Sequence, residues 1–138
     1  MQGVGINYLS VLTAAIASFI LGGLWYSPLL FGKLWIKLNN ISKADMAKAK
    51  KKGMAASYFA TFIYLLITAF VLSLFINFAE AATIAEALEV AFWLWLGFIA
   101  TNTLSSVLWE GKSFKLYLLK NAHELISLLI MAAIIAAW

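Results

Sequence analysis

The side chains able to do chemistry in this sequence gather in one place. Asn102, Thr103, Ser105 and Ser106 lie at the end of one apolar segment, and Lys120, Asn121, His123 and Glu124 near the start of the next. At ~1.5 Å per residue Glu124 sits roughly 12 Å or more inside its segment, which makes it the deepest ionisable group in the chain. Ionisable groups are costly in hydrocarbon, so this cluster should face protein or water rather than acyl chains. The connection between the two segments is short, so they are expected as an antiparallel hairpin. Folding near Ser113 brings Asn102 to the depth of Glu124, Thr103 to that of His123 and Ser106 to that of Lys120.

Two readings of the cluster compete. In one, Glu124 and His123, with Asn102, Thr103, Ser106 and Lys120 around them, form a proton-carrying or ligand-binding site. In the other, Lys120 and Glu124, one helical turn apart, pair with each other and with Asn102 as a polar clamp that locks the hairpin. Other chemistries have less to stand on. With no cysteine and a single histidine, a closed zinc site would need ligands from a second subunit, so no metal and no cofactor are expected. Ser105 or Ser106 with His123 as base would be the only nucleophilic arrangement. Serines in membrane helices usually bond their own backbone, and no strained elbow presents these two, so no catalytic residue and no enzyme are expected.

The surrounding chain explains why polar residues are so informative here. Of 138 residues, 64% are hydrophobic and 12% charged, against roughly a quarter charged in soluble domains. This is the composition of an integral membrane protein. The net charge of +4 comes from lysines beside apolar segments, with no arginine and no base-stacking module, so the expected acidic partner is the anionic phospholipid headgroup of a bilayer, not nucleic acid.

The expected architecture is all-α, a four-helix transmembrane bundle in a single domain over residues 1–138, with spans at about 6–25, 54–78, 90–108 and 114–138. The first span lacks the basic leader and short apolar run of a signal peptide. Pro28 ends it, and residues 29–38 read as a short amphipathic helix on the membrane surface. Trp25, Tyr26, Lys33, Trp35, Lys37, Trp93, Trp95, Trp109 and Trp138 are the expected lipid-interface anchors. Residues 39–53 form a lysine-rich loop, whose placement against the acidic connection around Glu80, Glu86 and Glu89 sets the loop in the cytoplasm and both termini outside. In that acidic connection Thr83 is a candidate helix cap, with Glu86 three residues on.

Ser10, Ala14, Ser18 and Gly22 recur every fourth position of the first span, and Ser57, Thr61, Tyr64 and Thr68 share one face of the second. The second stripe is expected to point into a bundle, and both faces are expected surfaces for self-association, giving a homo-oligomer or a component of a larger membrane assembly. The two halves also look alike, each a span ending in Leu-Trp followed by a basic aromatic connector and a second span. A true duplication would be a parallel repeat about the membrane normal.

Two blocks, Trp25-Tyr26-Ser27-Pro28-Leu29-Leu30-Phe31-Gly32-Lys33-Leu34-Trp35 and Thr101-Asn102-Thr103-Leu104-Ser105-Ser106-Val107-Leu108-Trp109-Glu110-Gly111-Lys112, resemble a family of small prokaryotic multi-pass membrane proteins catalogued as domain of unknown function 1761. The resemblance covers nearly the whole chain. It implies a topology and a location in a prokaryotic inner membrane, and carries over no catalytic residue. The expected function is therefore that of a non-enzymatic multi-pass membrane protein. The alternative is a small transporter or channel that uses the intramembrane Glu/His/Asn cluster.

Overall fold

The computed structural model describes residues 5–138. Its helices are α1 (Tyr8–Trp25), α2 (Gly32–Leu38), α3 (Lys43–Lys52), α4 (Ala55–Phe78), α5 (Ile84–Leu108) and α6 (Phe114–Ala137). Four of them, α1, α4, α5 and α6, are long and apolar enough to cross a membrane. The chain is thus an all-α four-helix bundle with a short helix after the first span, as its composition and segment lengths require.

Local chemistry sets the ends. The Asn7 side chain accepts from the Leu9 and Ser10 amides at 3.0 and 3.2 Å and starts α1. Thr83 and Glu86 form a reciprocal capping box that starts α5 at Ile84, earlier than the expected residue 90. The expected basic loop contains a helix of its own. Ser42 and Asp45 cap α3, and Lys50, Lys51 and Lys52 fill its last turn, where positive charge meets the negative end of the helix dipole.

Between α1 and α2 the chain reverses tightly. The Phe31 amide donates to the Trp25 carbonyl and the Gly32 amide to the Ser27 carbonyl, both at 2.9 Å. Gly32 is buried there, and a β-carbon on it would lie 2.5 Å from the Tyr26 carbonyl oxygen and 2.7 Å from Ser27 backbone atoms. No flexible side chain stands in that space to yield, which explains glycine between Phe31 and Lys33.

Helix α6 is the centre of the bundle, with α1 on one side and α5 on the other, while α4 packs chiefly on α1. The expected small-residue face of α1 is spent inside the chain. Ser10, Ala14 and Ser18 are buried, Ser18 and Ser127 of α6 share a hydrogen bond between hydroxyls, and Gly22 faces His123. Small residues let these helices approach closely, which matters because lipid supplies little hydrophobic drive for helix association. This corrects the expectation that the α1 face is free for self-association.

The stripe on α4 is corrected in the opposite sense. Its inner face is Leu65, Ala69, Leu72, Ser73 and Ile76, so Ser57 and Tyr64 are exposed and Thr61 and Thr68 half-buried. The two threonine hydroxyls donate to the Ser57 and Tyr64 carbonyls of their own helix at 2.8 and 2.9 Å, and so need no partner from another helix.

The apolar core is lopsided. Val11, Ala14 and Ala15 of α1, Leu65 to Ile76 of α4, Ala87 and Ala91 of α5, and Leu128, Met131 and Ala132 of α6 form one cluster. Apart from Leu65, which sits near the middle of α4, all of these lie in the half of the bundle away from the lysines. The half nearer the lysines holds the buried amide and imidazole, Asn121 and His123, while Ser10 and Ser73 are the buried polar side chains of the other half.

Two outcomes are expected from these contacts. Gly32→Ala forces the α1–α2 turn open and costs about 1–3 kcal/mol, read as a lowered thermal transition of the detergent-solubilised protein against wild type. The Ser42 amide and hydroxyl hold the Asp45 carboxyl below the usual carboxylate range. Because its folded pKa is depressed, the cap's contribution is complete above the ordinary carboxylate pKa and is lost as pH falls through the depressed value. The protection of the Asp45 and Met46 amides, measured as exchange relative to the intrinsic rate at each pH, should therefore fall in acid, and Asp45→Asn should remove that acid dependence.

Candidate functional site

Helix α5 departs from α geometry where it meets the polar part of α6. Residues Leu96–Ala100 form a π turn, Thr101–Thr103 return to α geometry, and the helix is interrupted at Leu104 before Ser105–Leu108. Such wide turns disturb the regular backbone ladder, and side chains here bond its carbonyls. The Thr101 hydroxyl donates to the Gly97 carbonyl and the Thr103 hydroxyl to that of Ile99, both at 2.7 Å. From across the hairpin, the Tyr117 hydroxyl donates to the Ala100 carbonyl at 2.6 Å.

Asn121 joins the two helices. It is buried, and its side-chain amide donates to the Thr103 hydroxyl at 3.1 Å and to the Tyr117 carbonyl at 3.0 Å. Its own backbone carbonyl accepts from the Trp95 indole at 3.0 Å. One residue therefore ties together the π-bulged helix, the tyrosine that bonds its open carbonyl and a tryptophan two turns away.

Beside this knot lies a cavity of about 320 Å³ between the end of α5 and the start of α6. Thr103, Ser106, Tyr117 and Asn121 supply neutral polar groups, Ile99 and Leu116 apolar ones, and Asn39 borders it from beyond α2. Its charged residues are Glu110, Lys112, Lys120 and Glu124.

His123 faces the other way. It is buried against the end of α1, with ring centroids 5.8 Å from Trp25 and 5.2 Å from Tyr26. Among the described residues neither ring nitrogen has a hydrogen-bond partner, and neither does the Trp25 indole nitrogen. His123 Nδ1 lies 3.8 Å from Glu124 Oε1. Just past the end of α1, burial and then the charge of Glu124 push the Tyr26 phenol up to about 12, which keeps it protonated.

The structure thus divides the six expected site residues. Thr103, Ser106, Lys120 and Glu124 line one cavity; His123 lies behind it, and Asn102 is exposed and lines neither the cavity nor the His123 contact. The expected clamp is corrected in its membership. Lys120 and Glu124 form no ion pair within 4.0 Å among the described residues, and Asn121 takes the place assigned to Asn102. The cause is register: the hairpin pairs Thr103 with Asn121 instead of His123. Ser106 and His123 lie on different sides of α6, so the serine–histidine arrangement is not assembled.

Among the expected anchors, Lys33, Lys37, Trp93, Trp109 and Trp138 are exposed and Tyr26 and Trp35 half-buried. Trp25 is a correction: it is 8% exposed and packs on Phe31 at 4.6 Å between ring centroids. Trp95 is another, since its indole serves the Asn121 carbonyl. With α5 starting at Ile84, Trp93 and Trp95 stand roughly 14 and 17 Å along the helix, not at its mouth.

Residues 9–136 match the profile of a family described as protein of unknown function (DUF1761). The chain belongs to the DUF1761 family. Comparison with curated proteins and with solved structures gave no match. Within the matched range of this DUF1761 chain, the first sequence block builds the α1–α2 turn around Gly32, and the second builds the interrupted end of α5 beside the cavity.

Asn121 belongs to the polar cluster in the sequence but hairpin spacing assigns it no partner, although a buried asparagine needs one as much as a glutamate does. Asn121→Leu removes the amide but leaves the Thr103 hydroxyl and Tyr117 carbonyl short of a donor. It should cost about 1–3 kcal/mol, measured by unfolding in mixed micelles, whereas Asn102→Leu should leave stability within experimental error.

Proposed function

We propose that the protein is a non-enzymatic multi-pass membrane protein that works as a homo-oligomer or as a component of a larger membrane assembly. The observation that carries this reading is a flank of α4 that the chain's own bundle leaves partly uncovered. Ser57, Thr61, Tyr64 and Thr68 form a continuous hydroxyl ridge along that flank, Ser57 and Tyr64 exposed and Thr61 and Thr68 half-buried, to one side of the face that packs in the chain's own core. Ala56 and Ala60 are exposed next to it, so a second helix can come close. The filled core in the half away from the lysines supports the same view, because a single chain then offers no polar route across a bilayer.

In this reading the bilayer is a prokaryotic inner membrane. The lysine-rich α3 and the α5–α6 turn face the cytoplasm and anionic phospholipid headgroups, with both termini on the other side. The absence of cysteine makes the orientation simple to test. A single cysteine at Lys50 should be labelled by an impermeant maleimide only after cells are opened, and one at Ala137 in intact spheroplasts.

Oligomerisation has its own measurement. Replacing Ser57, Thr61, Tyr64 and Thr68 together by leucine keeps the face compatible with lipid but removes its ridge. Native mass spectrometry should then show the wild-type oligomer reduced to monomer. A monomeric wild type, or an oligomer indifferent to the change, would contradict the proposal.

A second reading, a small transporter or channel, is favoured by one observation: Glu124 lines a cavity on one side and approaches the unpartnered His123 on the other. Asn102 has no part in it. Under this reading Glu124→Gln abolishes ion- or proton-linked flux in proteoliposomes while the helical content stays unchanged. Under the first reading it alters no flux.

A further inference from the structure

The cavity between α5 and α6 holds two kinds of polar group in different states. Its neutral groups are already engaged inside the chain. Asn121 bonds Thr103 and the Tyr117 carbonyl, the Tyr117 hydroxyl bonds the Ala100 carbonyl, and the Ser106 hydroxyl donates to the Thr103 carbonyl at 2.9 Å. Its charged groups are not paired with one another; the one contact any of them makes with an ionisable side chain, among the described residues, is Glu124 with His123 at 3.8 Å, behind the cavity. Glu110, Glu124, Lys112 and Lys120 all border the same space, yet among the described residues none forms an ion pair with another within 4.0 Å.

Two carboxylates and two ammonium groups sum to zero formal charge. Such a cavity has no net attraction for a simple anion or a simple cation, but its separated charges favour a molecule that carries both. The charges are also ordered along the helix. Lys112 stands in the turn before α6, Lys120 is six residues into the helix counted from Phe114 and Glu124 ten, roughly 9 and 15 Å along its axis. The innermost charge is therefore the carboxylate, with ammonium groups between it and the mouth. Ile99 and Leu116 provide an apolar wall for a short carbon backbone, and a volume of about 320 Å³ is at the small end for ligand sites.

We infer that this cavity binds a small zwitterion, its amine directed inward to Glu124 and its phosphate or carboxylate held by Lys120 and Lys112. The same chemistry has two sources: a free water-soluble zwitterion or the headgroup of an aminophospholipid entering from the membrane surface. This holds whether or not the chain assembles through α4.

O-phosphoethanolamine is the probe for the free source. Titrated calorimetrically into the full chain in phosphatidylglycerol nanodiscs, it should bind saturably at one site per chain. Ethanolamine and glycerol 3-phosphate, each with one of its two charges, should bind at least tenfold more weakly. Glu124→Gln and Lys120→Gln should each weaken binding at least tenfold. Lys112→Gln, in the exposed turn where refolding is not at stake, should weaken it several-fold. Circular dichroism of each variant guards against loss of fold.

For the lipid source, native mass spectrometry of protein released from nanodiscs with equal phosphatidylethanolamine and phosphatidylglycerol should show ethanolamine lipid retained by wild type and not by Glu124→Gln. Either saturable soluble binding or selective lipid retention, each lost on Glu124→Gln, supports the inference and tells the sources apart. If neither is seen, if single-charge probes bind as well, or if the folded variants bind like wild type, the inference is overturned.

Discussion

A side-chain amide buried between packed helices must find its partners in protein, and the position of Asn121 follows from that constraint. Its donors must end on protein acceptors, and the acceptors it finds, Thr103 and the Tyr117 carbonyl, lie on two different stretches of the hairpin. Fixing Asn121 fixes the pairing of α5 with α6. It also sets Tyr117 where its hydroxyl reaches Ala100, and sets the cavity walls. The three bonds that cross the hairpin, Asn121 to Thr103, Trp95 to the Asn121 carbonyl and Tyr117 to Ala100, thereby determine the register of the two helices, because any slip would strand several polar groups at once.

The bundle is divided along its length by this polarity. One end is closed with alanine, leucine and methionine, and its helices pack as membrane helices do, through small residues and close van der Waals contact. The other end carries aromatic rings, the amide knot, His123 and the charged cavity. A molecule built this way is asymmetric across its membrane. Chemistry can be offered to one surface while the opposite half serves as a plug.

Much of the fold was legible in the residues, and the failures have identifiable physical causes. Apolar length alone located the four spans, and the Thr83 to Glu86 spacing announced the start of α5 even though aromatic residues drew the expected boundary to Val90. The same spacing logic applied to Ser42 and Asp45 would have found α3 inside the lysine-rich segment, where charge counting saw only a loop. Tryptophan identity could not separate an interfacial ring from a packed one: Trp25 and Trp95 turn inward because His123, Phe31 and the Asn121 carbonyl are there to meet them. The polar cluster was found but its partners were assigned wrongly, since counting outward from a turn assumes regular α geometry on both sides and α5 is not regular.

The π turn at Leu96–Ala100 gives chain length a geometric meaning. Each residue rotates an α-helix by about 100°, so a helix relieved of one residue in that turn would carry everything beyond it around by about that angle. Thr103, Ser106 and the segment leading to Glu110 would swing off α6 together, while Trp95 and the residues before the bulge stayed put. Gain or loss of a single codon at this point is thus equivalent to turning a key. A comparison of natural homologues should treat an insertion or deletion there as more consequential than most substitutions in the lipid-facing helices.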